Sequence, residues 1–250
     1  MGEAIGELVG KRALVTGGSR GIGAAIALAL ADKGADVAIS YERSAGRAAD
    51  VVRAIEAKGR RAVAVQADSA DPAAMAALVG RTVEALGGLD ILVNNAGIAR
   101  QGMVAEMSLA DIDALLNVNV RAAVLVAQAA IPHLTNGGRI VFIGSCLADR
   151  ITAPGVTVYS MTKSAQIALT HGLARELGPR DITVNLVQPG ATDTDMNPAN
   201  GDHAEILRSQ TPLGRYGKPE DVAAAVAFLA SPAARQISGA TLTVDGGLNA

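Results

Sequence analysis

The sequence is poor in the residues that build disulfides, metal centres and nucleic-acid surfaces. Cys146 is the only cysteine, which excludes a disulfide within the chain. The three histidines, His133, His171 and His203, lie far apart and show no metal-ligand spacing. A net charge of -2 provides no basic surface for nucleic acid. We therefore expect neither a metal nor a nucleic-acid partner.

Aromatic residues and long apolar runs are also scarce. Only 2% of the residues are aromatic although 50% are hydrophobic, so the core must consist of Ala, Val, Ile and Leu. No run approaches the roughly 18 apolar residues of a membrane span, and the first ten residues lack a signal-peptide pattern. We expect a cytoplasmic protein without a membrane partner, folded as a single domain over residues 1–250.

Short aliphatic runs alternate with longer stretches of helical spacing along the chain. The runs predict strands at 13–16, 36–40, 62–66, 89–93, 139–143, 182–187 and 241–244. The stretches between them predict helices at 22–33, 46–58, 72–86, 109–134, 158–177 and 219–230. Strands that are aliphatic throughout are typical of a parallel sheet buried on both faces. The alternation predicts an α/β fold, a doubly wound sheet with helices on both faces.

A glycine-rich segment, TGGSRGIG at residues 16–23, joins the first predicted strand to the first helix. Glycines there permit a tight turn and let backbone amides approach a pyrophosphate, so this context predicts a dinucleotide site. Enzymes that use NAD place an acid at the tip of the second strand, where this chain has Tyr41. The cations Arg20 and Arg43 favour NADPH over NADH, whereas Glu42 argues the other way. The arginines could instead be surface charges.

Tyr159 and Lys163 lie four residues apart on a predicted helix and so share one face. A tyrosine phenol titrates near pH ~10, and a neighbouring ammonium should lower its pKa toward neutrality. Ser145 follows the fifth predicted strand, at the sheet edge where α/β proteins bind ligands. We interpret its neighbour Cys146 as a small apolar side chain.

In this order the motifs resemble the short-chain dehydrogenase/reductase family over essentially the whole chain. The matches are the TGxxxGxG loop, Asp68, Asn94-Asn95-Ala96-Gly97, Asn119, Ser145, Tyr159-x-x-x-Lys163 and Pro189-Gly190. The resemblance implies a Rossmann-type domain with a seven-stranded parallel sheet. It also implies a homotetramer that assembles through helices 109–134 and 158–177 and through residues 241–250.

The resemblance further implies a role for each matching residue. Tyr159 would be the general acid in carbonyl reduction, and Lys163 would lower its pKa and hold the nicotinamide ribose. Ser145 would bind the substrate carbonyl oxygen, and Asn119 would hold a water that relays protons to Lys163. The cofactor-binding residues implied are Gly17, Ser19, Arg20, Gly21, Ile22, Gly23, Tyr41, Arg43, Ser44, Asp68, Asn95, Ala96, Gly97, Tyr159, Lys163, Pro189, Gly190 and Thr194.

Fourteen positions separate Ser145 from Tyr159, one more than is common in the family. This spacing resembles the subset that includes fungal-type naphthol reductases, and it argues against a fatty-acid-type ketoacyl substrate. Residues 192–217 predict a lid that contains a short helix at 204–209. Arg150 is either a contact for an anionic substrate or a surface partner of Asp149. The predicted apolar pocket, suited to a cyclic or aryl ketone, comprises Ile98, Met103, Cys146, Ile151, Val156 and Met196.

Three functions compete for this sequence. The first is an NADPH-dependent carbonyl reductase or alcohol dehydrogenase, which acts on a small ketone or alcohol. The second is a catalytically inactive protein that senses a nucleotide, although such proteins typically lose the tyrosine or the lysine. The third is a lyase such as a halohydrin dehalogenase, which would carry arginine at the position of Lys163 and lack the nucleotide loop. The residues present favour the reductase.

Overall fold

The computed structural model describes residues 6–250, which form seven strands and eight α-helices. The strands are β1 Arg12–Val15, β2 Asp36–Tyr41, β3 Ala62–Gln66, β4 Leu89–Asn94, β5 Leu134–Ile143, β6 Thr183–Pro189 and β7 Thr241–Val244. The helices are α1 Gly21–Asp32, α2 Ala45–Glu56, α3 Pro72–Leu86, α4 Leu109–Leu116, α5 Ala122–Ala130, α6 Thr157–Leu177, α7 Ala204–Gln210 and α8 Pro219–Ala230.

The strands form one parallel sheet in the order β3-β2-β1-β4-β5-β6-β7. The chain first winds outward from β1 to β3 and then returns to pair β4 with the other side of β1. At such a reversal the connections leave the sheet in opposite directions, which opens a crevice at the carboxyl ends of the strands. The fold is therefore the doubly wound, Rossmann-type sheet that the sequence predicts.

Aliphatic side chains cover both faces of the sheet. Alternate residues of one strand point to opposite faces, so Ala13 and Val15 pack with α1, α2 and α8, whereas Leu14 packs with α3, α5 and α6. Much of the packing uses alanine, which allows the helices to lie close to the strands. Phe142 is the largest fully buried side chain. This core fixes the carboxyl ends of β1, β4 and β5, where the predicted site residues lie.

The predicted helix at 109–134 is wrong in two respects. Residues Asn117–Arg121 form a π-helical turn between α4 and α5, and α5 ends at Ala130. The next strand begins at Leu134 rather than at residue 139, because Leu134 pairs with Leu89 before a register shift in β4. An apolar pattern does not reveal one extra residue in a helical turn, and such turns are frequent at functional sites. No helix within residues 6–250 is long and apolar enough to cross a membrane.

Candidate active site

The loop between β1 and α1 has the geometry of a dinucleotide cradle. Gly17 and Gly21 have φ angles of 64° and 54°, a region that side chains rarely adopt. A Cβ atom on Gly23 would lie 2.4 Å from the Gly17 carbonyl oxygen, so only glycine permits this close turn. Ser19 is buried, and Ile22 packs against the core. The amides of Gly17 and Gly18 donate to Ser40, at 3.0 and 2.9 Å, which ties the loop to β2 and leaves the amino end of α1 as the place for a pyrophosphate.

The strand ends beside this loop are tied to it by hydrogen bonds. The Thr16 hydroxyl accepts from the amides of Asn95 and Ala96, each at 3.0 Å. The Asn95 side chain donates to the Thr16 carbonyl at 2.9 Å, which holds the end of β4 against the glycine loop. Asn94 instead donates to the Ala123 carbonyl at 3.3 Å, so it joins β4 to α5 rather than to another strand. Residues 95 and 96 thus lie directly against the glycine loop.

Four other predicted cofactor residues lie at or after the carboxyl ends of β3 and β6. Asp68, exposed after β3, accepts from the Ala70 amide at 2.8 Å. Thr194 approaches the loop closely, because a Cβ on Gly21 would be 3.4 Å from its methyl group. Pro189 ends β6, and Gly190 allows the chain to pass Asp245, whose Cα would lie 2.6 Å from an added Cβ.

The predicted cations Arg20 and Arg43 each pair with an acidic side chain. Arg43 pairs with the neighbouring Glu42 at 2.7 Å, and its side chain is 88% exposed. Arg20 instead pairs with Asp195 at 3.2 Å, and the same Asp195 oxygen also accepts a hydrogen bond from Arg47. Arg47 lies in the first turn of α2, where a cation opposes the helix dipole, and this position is the one sign of its role in the sequence. Tyr41 and Ser44 are half-buried beside these residues.

The structure brings Tyr159, Ser145 and Cys146 together beside this crevice. Burial raises the pKa of Tyr159, which is largely buried, while the Ser145 hydroxyl interacts with the phenol and acts to lower that pKa. Ser145 also accepts from the Leu147 amide at 3.2 Å, so it caps a short turn as well as facing Tyr159. Burial raises the pKa of Cys146 to about 11, and the nearby Asp245 acts in the same direction. Its thiol is therefore protonated at neutral pH, in agreement with the interpretation of Cys146 as a small apolar side chain.

The sequence predicts that Lys163 lowers the pKa of Tyr159, whereas burial raises that pKa in this structure. Its ammonium lies 6.0 Å from the centre of the Tyr159 ring and donates to the Ile143 carbonyl at 2.9 Å. Burial lowers the pKa of Lys163 to about 8. Removal from water is therefore the largest cause of the pKa shift of each side chain.

Asn119 is fully buried in the π-helical turn and binds the loop after β4. Its side chain accepts from the Ile98 amide and donates to the Ile98 carbonyl, both at 2.9 Å. It also donates to Thr162 at 3.0 Å, and its own carbonyl accepts from Gln166 at 2.8 Å. A Cβ on Gly97 would be 3.3 Å from both the Asn119 side chain and the Lys163 ammonium. The turn thus places Asn119 next to Lys163, whereas no motif pointed to its partners Thr162 and Gln166.

The six predicted pocket residues are only partly brought together. The segments that carry Met103 and Val156 are adjacent, since the Gly102 amide donates to the Gly155 carbonyl at 2.9 Å. Met103 and Ile151 are 54% and 53% exposed. Ile98 is half-buried and Cys146 is buried. The described contacts do not join Met196, which is 57% exposed, to the other five.

The loop after Ser145 has two contacts that the sequence did not indicate. The Asn249 side chain donates to the Cys146 carbonyl at 2.6 Å, so the segment after β7 supports this loop. Arg150 is exposed, and its side chain donates to the Ala250 carbonyl at 3.4 Å. Within residues 6–250 no three side chains of His, Cys, Asp or Glu are grouped as metal ligands would be.

Comparison with known proteins agrees with this geometry. A solved short-chain dehydrogenase from Burkholderia cenocepacia J2315, in complex with NADP, is 62% identical with a TM-score of 0.96, and the match covers 98% of this chain and 100% of that chain. The cyclic-di-GMP-binding biofilm dispersal mediator protein of Escherichia coli K12 is 43% identical over 246 residues, 98% of this chain and 100% of the relative. Versicolorin reductase 1 of Aspergillus parasiticus is 42% identical over 253 residues, 96% of this chain and 97% of the relative.

The match to a family is equally extensive. Residues 17–249 match the sequence profile described as enoyl-(acyl carrier protein) reductase. The profile thus spans the glycine loop, the Ser145 to Lys163 region and the segment after β7. Together with relatives above 40% identity over nearly the full chain, it confirms the resemblance seen in the motifs. The chain belongs to the short-chain dehydrogenase/reductase family.

Proposed function

We propose that the protein is an NADPH-dependent reductase that converts a ketone into a secondary alcohol, in a reversible reaction. The observation that carries the proposal is the convergence of Ser145, Tyr159, Lys163 and Asn119 at one sheet edge beside the glycine loop. A nucleotide cradle next to a hydroxyl pair and a buried amine suits hydride transfer to a carbonyl group better than hydrolysis or metal chemistry.

Tyr159 and Ser145 both act on the carbonyl oxygen of the substrate. NADPH, when bound, supplies the hydride that reduces the carbonyl carbon. Tyr159 donates its proton to the oxygen as negative charge develops there, and Ser145 donates a hydrogen bond to the same atom. Because burial raises the pKa of Tyr159, the phenol stays protonated at neutral pH, which is the state that reduction requires.

Lys163 and Asn119 support this reaction from behind Tyr159. The Lys163 ammonium uses one of its three protons on the Ile143 carbonyl, so two remain for the nicotinamide ribose and for a proton relay. Asn119 holds the loop that contains Gly97 and Ile98, which keeps the space next to Lys163 narrow. We therefore assign Asn119 the role of positioning this wall of the site.

The preference for NADPH follows from the residues around the adenosine ribose. The tip of β2 carries Tyr41 instead of an acid, and Arg20 lies at the mouth of the glycine loop. A guanidinium group pairs well with the 2′-phosphate that only NADPH carries. The solved relative from Burkholderia cenocepacia, which contains NADP, supports this choice.

The substrate we propose is an apolar, cyclic or aryl ketone. The exposed apolar side chains Met103, Ile151 and Met196 lie on loops that follow β4, β5 and β6, and an apolar rim favours such a substrate. The chain folds as a single domain, in which residues 192–217 serve as a lid over the substrate pocket. Closure of this lid would exclude water from the nicotinamide.

A second candidate is a nucleotide-binding regulator without catalysis, favoured by the name of the Escherichia coli relative. The two are separated by an assay at 340 nm of NADPH and NADH with a panel of neutral and carboxylate-bearing ketones. Turnover of at least one apolar ketone, faster with NADPH than with NADH, supports the reductase. Binding of NADPH without turnover of any ketone would instead favour the regulator.

A further inference from the structure

Two guanidinium groups from different elements converge on one carboxylate at the outer end of the glycine loop. Arg20 belongs to the loop and Arg47 to the first turn of α2, and both donate to the same oxygen of Asp195. Asp195 follows Thr194 on the proposed lid. The two arginines hold the pKa of Asp195 below its usual range, so the carboxylate is charged at neutral pH. The three side chains thus form a charged cluster in which one anion is shared by two cations.

The position of Arg47 is unusual for a helix. The amino end of a helix carries partial positive charge, so a cation in the first turn is unfavourable unless an anion lies nearby. The first turn of α2 has no acidic residue, and Ser44 before it makes no capping hydrogen bond. A site for an anion therefore lies between Arg20, Arg47 and the amino end of α2. Asp195 supplies that anion in this structure.

We propose that Arg47 is, with Arg20, a ligand of the cofactor 2′-phosphate, and that Asp195 occupies the position of that phosphate until NADPH displaces it. The proposal rests on the NADPH preference proposed above. A phosphate carries about -1.5 to -2 charges at neutral pH against -1 for the carboxylate, and it presents three acceptor oxygens. It can therefore replace Asp195 between the two arginines, whereas the ribose hydroxyl of NADH cannot.

This exchange has a consequence for the lid. Asp195 lies next to Thr194, which approaches Gly21, and next to Met196, an exposed apolar residue of the proposed pocket. When the phosphate binds Arg20 and Arg47, Asp195 loses its two ion pairs with them. The lid can then close over the nicotinamide. NADH leaves these ion pairs in place. Only the phosphorylated cofactor would then release the lid from the glycine loop.

The test is the dissociation constant of NADPH and of NADH, measured by fluorescence titration at one ionic strength. Arg47→Ala should weaken NADPH about tenfold, the scale of one charge-assisted hydrogen bond, and change NADH less than about twofold. Asp195→Asn should tighten NADPH about threefold or more and leave NADH unchanged, because only the phosphate competes with the carboxylate. Arg53→Ala, an exposed arginine on the same helix that pairs with Asp50, is the matched control and should change neither constant.

A double variant separates competition from a mere change of charge. In wild type, Arg47→Ala removes a phosphate ligand but also weakens the hold on Asp195, so its two effects partly cancel. In the Asp195→Asn background no carboxylate competes, so Arg47→Ala only removes a phosphate ligand. Its decrease in NADPH affinity should therefore be larger there than in wild type. If Arg47→Ala weakened NADPH binding equally in both backgrounds, Asp195 would not compete with the phosphate. If Arg43→Ala lost NADPH affinity and Arg47→Ala did not, Arg43 and not Arg47 would bind the 2′-phosphate, and the proposal would be wrong.

The dissociation constants of NADPH and NADH for wild type separate a failure of this inference from a failure of the proposed function. If wild type binds NADPH and NADH equally, both the cofactor preference and the inference fail. If it prefers NADPH and the Arg47 and Asp195 variants match wild type, the inference alone fails. These binding measurements need no substrate and no turnover.

Discussion

The Lys163 ammonium lies 6.0 Å from the centre of the Tyr159 ring and gives its hydrogen bond to the Ile143 carbonyl. Helical spacing places the two side chains on one face, but burial dominates the protonation of both. It lowers the pKa of Lys163 to about 8 and raises that of Tyr159. In this structure the lysine is therefore an amine whose charge is lost just above neutral pH.

The buried lysine should make stability depend on pH. The folded pKa of about 8 is below the ordinary value of 10.5, so between these values the unfolded chain binds more protons than the folded one. The penalty for burying the ammonium is fully present below pH 8 and is relieved as the pH rises to 10.5. Wild type should therefore gain unfolding free energy over this range relative to Lys163→Met.

Urea denaturation of both proteins at pH values near the two ends of this range measures the difference. The methionine variant keeps a side chain of similar length and cannot titrate, and the other ionisable groups, Tyr159 included, are common to both proteins. A difference in unfolding free energy that is the same at both pH values would show that Lys163 titrates at its ordinary pKa.

Sequence patterns were sufficient where the information is local. The glycine loop follows from the conformations that residues 16–23 require, and the strands follow from their aliphatic runs except for the first half of β5. The π-helical turn at Asn117–Arg121 was missed because it changes hydrogen-bond register without changing the apolar pattern. The pairing of Arg20 with Asp195 joins residues 175 positions apart, and only the folded sheet brings them together.

The glycine loop should tolerate no added methyl group at Gly23. Its Cβ would lie 2.4 Å from a backbone oxygen of the same loop, so the loop must shift in Gly23→Ala. Forcing a methyl group into such a site costs about 1–3 kcal/mol, so NADPH affinity should fall about tenfold or more. Fluorescence titration measures the change.

Gly80→Ala in α3 is the control for this substitution. An added Cβ there meets no atom within 4 Å, and Gly80 lies in the helix interior. We expect urea denaturation to show a stabilisation of ~0.5–1 kcal/mol, with NADPH affinity unchanged. If Gly23→Ala bound NADPH as tightly as Gly80→Ala, the cradle assigned to this loop would be wrong.

The exposed apolar face of α4, α5 and α6 should be covered by a second copy of the chain. Val124 and Met161 are 41% and 51% exposed on these helices, and a patch of this kind is typical of an interface. With a second interface near β7, two-fold symmetry gives the proposed homotetramer. Light scattering at micromolar concentration should show four chains for wild type and fewer for Val124→Glu. A monomeric mass for wild type would rule out the assembly.

The central claim is that Tyr159 donates a proton to a carbonyl oxygen, and Tyr159→Phe tests it most directly. The phenylalanine keeps the ring and removes the proton, so kcat for NADPH-dependent reduction of the best ketone should fall ~100-fold or more. The dissociation constant for NADPH, measured on the same preparation, should stay within about twofold, since the phenol is assigned to the chemical step. A Tyr159→Phe protein that binds NADPH normally and reduces that ketone at the wild-type rate would contradict the account.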